Sequence, residues 1–231
     1  MSYGIEFRND SGFLLIDGES SNYSLLASGT VAAGTAVTFP TAIGAPLIFI
    51  RFNASTYYVR VSILTVNSVT FQVWNSPANE IDATMVGGDV EYMVFGVASS
   101  LIPSSGYGIH IFNSSSALVF DANTKVPRIK QVVTVPALPR FADAFRNPKN
   151  VISHTQGTSP WMLANFTRNV YGYHFIQEYP QPTSDLMVCA IRADVSGFGN
   201  RIIVQAVKKG IQVGSQGSQW PSAPIPIALI P

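Results

Sequence analysis

Tyr3-Gly4-Ile5-Glu6-Phe7-Arg8-Asn9-Asp10-Ser11-Gly12-Phe13-Leu14-Leu15-Ile16-Asp17 returns as Tyr107-Gly108-Ile109-His110-Ile111-Phe112-Asn113-Ser114-Ser115-Ser116-Ala117-Leu118-Val119-Phe120-Asp121, 104 residues downstream and without a gap. Seven of the fifteen positions are identical, and most of the others keep their apolar or polar character. Solenoid repeats recur every 20–50 residues or so, and this spacing is longer, so it points to two related β-units. Each copy reads as a hairpin. Ile5 and Phe7 alternate on one strand, and Asn9-Asp10-Ser11-Gly12 supplies residues that tolerate turn geometry. With Ile5 and Phe7 on the inward face of the first strand, Leu14 and Ile16 are expected to face inward on the return strand; Ile109, Ile111, Leu118 and Phe120 take the same inward places in the second copy. Gly12 is replaced by Ser116, so the second turn is not assumed to copy the first.

Outward from the repeat, the period stays near two. Tyr57, Val59, Val61 and Ile63 share one face of a strand, with Tyr58, Arg60 and Ser62 opposite. After Asn67-Ser68, Val69, Phe71 and Val73 share a face opposite Thr70, Gln72 and Trp74, so the two runs read as a hairpin with one buried side. Further strands are expected near 22–31, 35–39, 46–52, 89–98, 127–135, 170–177, 185–193 and 200–206. Helical periodicity is confined to a turn or two at 141–146, ended by Pro148. Many short strands with Gly- and Pro-rich turns predict an all-β fold. The expected architecture is two β-sandwich-like antiparallel domains, each opening with a Tyr-Gly-Ile hairpin.

The stretch Ser99-Ser100-Leu101-Ile102-Pro103-Ser104-Ser105-Gly106 reads as a linker, which divides the chain into residues 1–103 and 104–231. The second unit carries long loops at 141–165 and 178–184, expected to face outward, and a Pro-rich tail. Trp220-Pro221-Ser222-Ala223-Pro224-Ile225-Pro226 holds too many prolines for a central strand and is expected to run extended along another surface.

Composition narrows the function. Charged residues make up 12% of the 231, about half the usual share, with Ser, Thr, Asn and Gly filling the polar positions. Such a surface suits a β-rich protein packed against partners. The formal net charge is +1, and the basic residues are scattered apart from Lys125, Arg128, Lys130 and Lys208-Lys209. There is no phosphate-tracking stripe, so nucleic-acid binding is not expected. The single Cys189 lies in an apolar run and reads as a buried structural thiol rather than half of an internal disulfide. No apolar run approaches the 18 residues of a membrane span. Met1-Ser2-Tyr3-Gly4 lacks the opening of a signal peptide, so synthesis in a cytoplasm without cleaved export is expected.

The phrase Tyr-Gly-Ile, three residues, Asn-x-x-Gly, an apolar strand and then Asp resembles the opening of tail proteins of tailed bacteriophages. Other parts of residues 1–121 agree with that family: the segment Glu19 to Thr30, the stretch Ala33-Gly34-Thr35-Ala36-Val37-Thr38-Phe39-Pro40, and the closing strand Val90-Glu91-Tyr92-Met93-Val94-Phe95. The resemblance implies a non-enzymatic structural component of a tail tip or baseplate, located in the virion. Its implied partners are other phage tail proteins, in a homo-oligomer about a three-fold or six-fold axis, with loops presented to the host surface. The alternative is a receptor- or carbohydrate-binding tail fibre protein that contacts a host receptor or glycan.

The chain shows no catalytic motif. His110, His154 and His174 lack the short spacing of a zinc site, and no metal or cofactor is expected. His110, aligned with Glu6, is expected to face solvent. The glycine-rich stretches lack the Lys-Ser/Thr of a phosphate loop, and there is no Gly-x-Ser-x-Gly elbow. Asp17 and Asp121 recur at the ends of hairpin strands, where a bond to local backbone suits them better than catalysis. A glycan-degrading enzyme is a third, more distant reading, and it requires two carboxylates across a cleft. The remaining candidates for surface or ligand contact are aromatic: Tyr58 and Trp74, expected on outward faces, and Trp161, Tyr171, Tyr173 and Trp220 near loops or strand ends.

Overall fold

Alternating apolar residues set the local structure almost everywhere. The computed structural model describes residues 7–8, 14–16, 22–51, 57–75, 84–98, 107–116, 118–135, 149–156, 160–168, 171–177, 183–194, 201–213 and 225–230. Within them the chain runs through β1 (Phe7–Arg8), β2 (Leu14–Ile16), β3 (Ser24–Ala32), β4 (Ala36–Thr38), β5 (Ala42–Arg51) and β6 (Tyr57–Leu64). It continues through β7 (Ser68–Asn75), β8 (Thr84–Val86), β9 (Asp89–Ala98), β10 (His110–Phe112), β11 (Leu118–Asp121) and β12 (Gln131–Val135). The last strands are β13 (Lys149–Ser153), β14 (Trp161–Leu163), β15 (Tyr171–Gln177), β16 (Thr183–Asp194), β17 (Arg201–Val213) and β18 (Ile225–Ile230). The helical structure among the described residues is one 3-10 turn, Asn165–Arg168. The fold is all-β, and the strand pairings are antiparallel.

Two large sheets form. One has six strands in the order β12-β18-β14-β5-β9-β3; the other has eight-strand order β13-β17-β16-β6-β7-β4 along its main path, with β15 on β16 and β8 on β7. Both take strands from either side of residue 103. Their facing sides share one core: Ile48, Ile50, Val94, Met162 and Leu229 from the first sheet meet Val59, Val61, Phe71 and Val73 from the second. Phe71 and Tyr92 pack ring to ring across the gap, with centroids 6.0 Å apart.

The repeat forms two hairpins of the same register. Phe7 pairs with Ile16 and Arg8 with Leu14 in the first. Ile111 pairs with Phe120 and Phe112 with Leu118 in the second. The shift in register falls at the same place in both, between Phe7 and Arg8 and between Ile111 and Phe112. Ser116 adopts φ 61°, the left-handed conformation that glycine takes most readily. Gly12 stands at the equivalent place in the first copy.

Four expectations change. Ile109, expected to face inward, is 55% exposed because it lies ahead of β10, outside the paired register of the hairpin, while Ile111 and Leu118 are buried. Ile63 is 55% exposed because a bulge between Val61 and Ile63 turns it out and brings Leu64 into the core in its place. The stretch 141–165 is not simply an outward loop, since β13 and β14 lie within it. β14 is a central strand, and Met162 on it is fully buried. The tail also joins a sheet, with β18 lying between β12 and β14 despite Pro226. The Lys130 N–H donates to the Leu229 carbonyl, so Leu229 turns its polar groups toward β12 and Pro226, three residues away, turns toward the β14 side. β14 reaches only Leu229 and Ile230, so no ladder bond is lost at the proline. The expected helical turn at 141–146 and the residues 220–224 lie outside the described residues.

Candidate functional site

The second face of the six-stranded sheet also carries large side chains, and register places them in rows. Arg51 pairs with Glu91 and Glu91 with Thr30, while Trp161 lies beside Arg51. Two residues along, Leu163, Phe49, Met93 and Ser28 form the next row. Leu47, Phe95 and Leu25 form the third. Phe49 and Phe95 meet edge to face at 5.7 Å and are buried. The Arg51 guanidinium lies 4.6 Å above the Trp161 ring while its Nε donates to Glu91 Oε2 at 2.9 Å. One cation therefore serves both an aromatic face and a carboxylate.

The second hairpin and the chain after it lie against this face. The Leu25 N–H donates to the Lys125 carbonyl at 2.8 Å, tying the segment to the edge of β3. Asn113 builds the hairpin turn: its Oδ1 accepts from Ser115 N at 3.0 Å and its carbonyl from Ser116 N at 2.9 Å. Asp121 closes the hairpin as the sequence suggests, its Oδ1 accepting from Asn123 N at 2.8 Å. His110 does not point freely into solvent. It is half-buried opposite Asp121, with Nε2 3.5 Å from Oδ1, too long for a good hydrogen bond.

Between hairpin and sheet runs a groove of about 490 Å³ lined by Met93, Phe95, Phe120, Asn123, Lys125 and Arg128, among others. Among the described residues its lining contains two cations, Lys125 and Arg128, and no carboxylate. This volume falls within the range of about 300–1,000 Å³ usual for small-molecule sites.

The aromatic candidates whose side chains are described, Tyr58, Trp74 and Trp161, are not gathered into one site. Tyr58 and Trp74 face each other across β6 and β7 on the side predicted, but both are buried, at 3% and 5% exposure. Arg60, on the same face as Tyr58, is buried too, at a point of β6 beside its pairing with β16 at Val59. The 3-10 turn packs along β6 at that point. Thr167 Oγ1 accepts from Val61 N at 3.0 Å, and the Thr167 carbonyl accepts from Arg60 Nε at 3.1 Å, so a side of the strand that alternation assigns to solvent is covered. Trp74 Nε1 is buried with no hydrogen-bond partner among the described residues. Trp161 lies in the other sheet, half-buried on its second face. Tyr171 and Tyr173 stand two apart on β15, pairing with Val188 and Leu186; their side chains and Trp220 lie outside the described residues.

Sequence reasoning missed Arg51, Glu91, Asn165 and Thr167. Asn165 accepts from Ile48 N and donates to the Pro46 carbonyl, both at 2.7 Å, joining positions 117 and 119 residues apart. No local pattern marks such a residue. Among the described residues there is no cluster of three His, Cys, Asp or Glu fit to hold a metal ion. No helix among them is long and apolar enough to cross a membrane. Comparison with known protein families, with curated proteins and with solved structures finds no match.

Proposed function

We propose that the chain is a structural subunit of a bacteriophage tail tip or baseplate, acting by assembly and not by catalysis. The observation that carries the reading is the paired hairpin. The phrase that resembles the opening of phage tail proteins folds twice into one unit with one register and one bulge. The second copy leaves Tyr107, Ile109 and Phe112 exposed, followed by Val126 and Ile129. Apolar side chains gathered around one hairpin suit a surface that neighbouring proteins cover. The partners in this reading are other tail proteins, arranged about a three-fold or six-fold axis, and the location is the virion.

The test is quantitative mass spectrometry of purified particles from the phage that encodes the chain. The expected result is a fixed stoichiometry with the tail, and Ile109→Lys with Phe112→Lys should fold yet fail to incorporate. Absence of the chain from the particles would sink the proposal.

A second reading, attachment to a host glycan, is favoured by the groove. Its apolar floor with Asn123, Lys125 and Arg128 on the wall suits a saccharide that bears carboxylates. Binding of acidic but not neutral oligosaccharides, weakened by Lys125→Ala with Arg128→Ala, is the expected result there. Equal binding of both kinds, or none, rejects it.

A further inference from the structure

We infer that the outer edge of β3 is a self-pairing site, through which two copies of this chain join their six-stranded sheets across a two-fold axis. The argument begins with which backbone groups are open. Ala33 N donates to the Gly88 carbonyl on the β9 side, and Val31 and Gly29 pair with Val90 and Tyr92 in the same register. Polar groups alternate along a strand, so Val31 and Gly29 also turn theirs toward β9, while Ser28 and Thr30 turn theirs away. Nothing among the described residues receives them. Ser28, Gly29 and Thr30 are exposed, as an uncovered edge requires. Among the described residues the edge is closed only at its start, where Leu25 N is held by the Lys125 carbonyl.

The edge also lacks the usual protection. Sheet edges are commonly kept apart by shortness, charge or proline. β4 and β8 are three residues long and β12 and β13 five, with β13 opening on Lys149. β15 has His174 at its centre. β3 has nine residues, Ser-Leu-Leu-Ala-Ser-Gly-Thr-Val-Ala, without a charge or a proline.

The identity of the occupant follows from the same residues. In antiparallel pairing about a two-fold, residues near the axis meet their own copies, and a charge there would repel itself. With Gly29 on the axis, Ser28 of one copy lies opposite Thr30 of the other, and the reverse. Both residues present outward N–H and C=O groups, so each of the two pairs exchanges two backbone bonds. The hydroxyls of Ser28 and Thr30 then share a face, where such pairs hydrogen-bond. Each side chain stays on its own face of the joined sheet, as the pleat demands. A partner of different sequence would gain nothing from this self-complementarity. In a six-fold assembly such contacts can only join copies in pairs.

The inference does not depend on the tail reading, and its test uses the purified chain, so either can fail alone. Sedimentation velocity over about 1–100 µM should show a monomer–dimer equilibrium, a range typical of modest interfaces. Thr30→Lys should weaken the dimer at least tenfold, and 1 M salt should restore part of it by screening. Thr38→Lys, the same change on exposed β4, should leave the dimer intact. Amide exchange of the unaltered protein should show Ser28 and Thr30 protected at high concentration and unprotected on dilution, which decides the matter even if a variant misfolds. A monomer throughout, a dimer that ignores Thr30→Lys, or a dimer with unprotected Ser28 and Thr30 amides overturns it.

Discussion

Replacing Thr167 by Val keeps the shape of the side chain and removes its hydroxyl. Thr167 is completely buried; its Oγ1 donates to the Ala164 carbonyl at 2.7 Å and accepts from Val61 N at 3.0 Å. In the variant the Val61 N–H stays buried without an acceptor, a loss of about 1–3 kcal/mol. The Ala164 carbonyl keeps the Thr167 N–H at 3.0 Å, so losing its second bond costs only about 0.5–1.5 kcal/mol. The new methyl group returns about 0.8 kcal/mol. The net expectation is a destabilisation of about 2 kcal/mol. Thr167→Ser is the control, because it keeps both bonds and loses one methyl, at about 1 kcal/mol. Equilibrium unfolding in urea reads both, and with a slope of about 2 kcal/mol/M the Val variant should shift its midpoint by about 1 M with the slope unchanged. If Thr167→Ser is the worse variant, or Thr167→Val matches the unaltered protein, the turn acts by packing and the capping argument for β6 fails.

Ser116→Gly should stabilise the protein by about 0.5–1 kcal/mol, seen as a raised thermal midpoint, because glycine holds the observed φ of 61° without a Cβ penalty. No change would mean that the strain at Ser116 is already offset by its neighbours. Gly96→Ala should destabilise by about 1–3 kcal/mol: a Cβ there comes 2.8 Å from Leu26 Cδ1, which has some freedom to move, and 3.1 Å from Ala42 Cβ, which has little. Urea unfolding reads it, and an unaltered midpoint refutes the tight approach of β9 to β5. Arg51→Met should lower stability by about 1 kcal/mol, combining a half-exposed ion pair of small value with the contact over Trp161. Glu91→Gln should cost less, and the reverse order would place the value in the pair instead of the ring.

Strand positions were legible where alternation runs for several residues. The expected strand at 89–98 matches β9, and that at 170–177 matches β15 within a residue. β14 was not legible, since three residues carry no period and Met162 is buried only because β5 and β18 flank it. β18 was obscured by Pro226, a residue whose cost depends on whether a neighbour stands on its N–H side. The parity of Tyr58 and Trp74 was read correctly, but parity states which way a side chain points and not what covers it. The cover beside β6 is Thr167, more than a hundred residues away. Trp161 was named as a candidate without Arg51 or Glu91, because register across three strands brings them together.

The sequence by itself determined the all-β class and the hairpin stated twice, because both rest on local alternation and turn chemistry. Ser116 in a left-handed turn and Asp121 bound to local backbone belong to the same local physics. Tertiary structure alone decided that strands from either side of residue 103 share both sheets, that Asn165 and Thr167 seal gaps beside β5 and β6, and that a basic groove lies between hairpin and sheet. Those features depend on which strands become neighbours. That choice is made by burial of a shared core, to which residues far apart in the chain contribute equally.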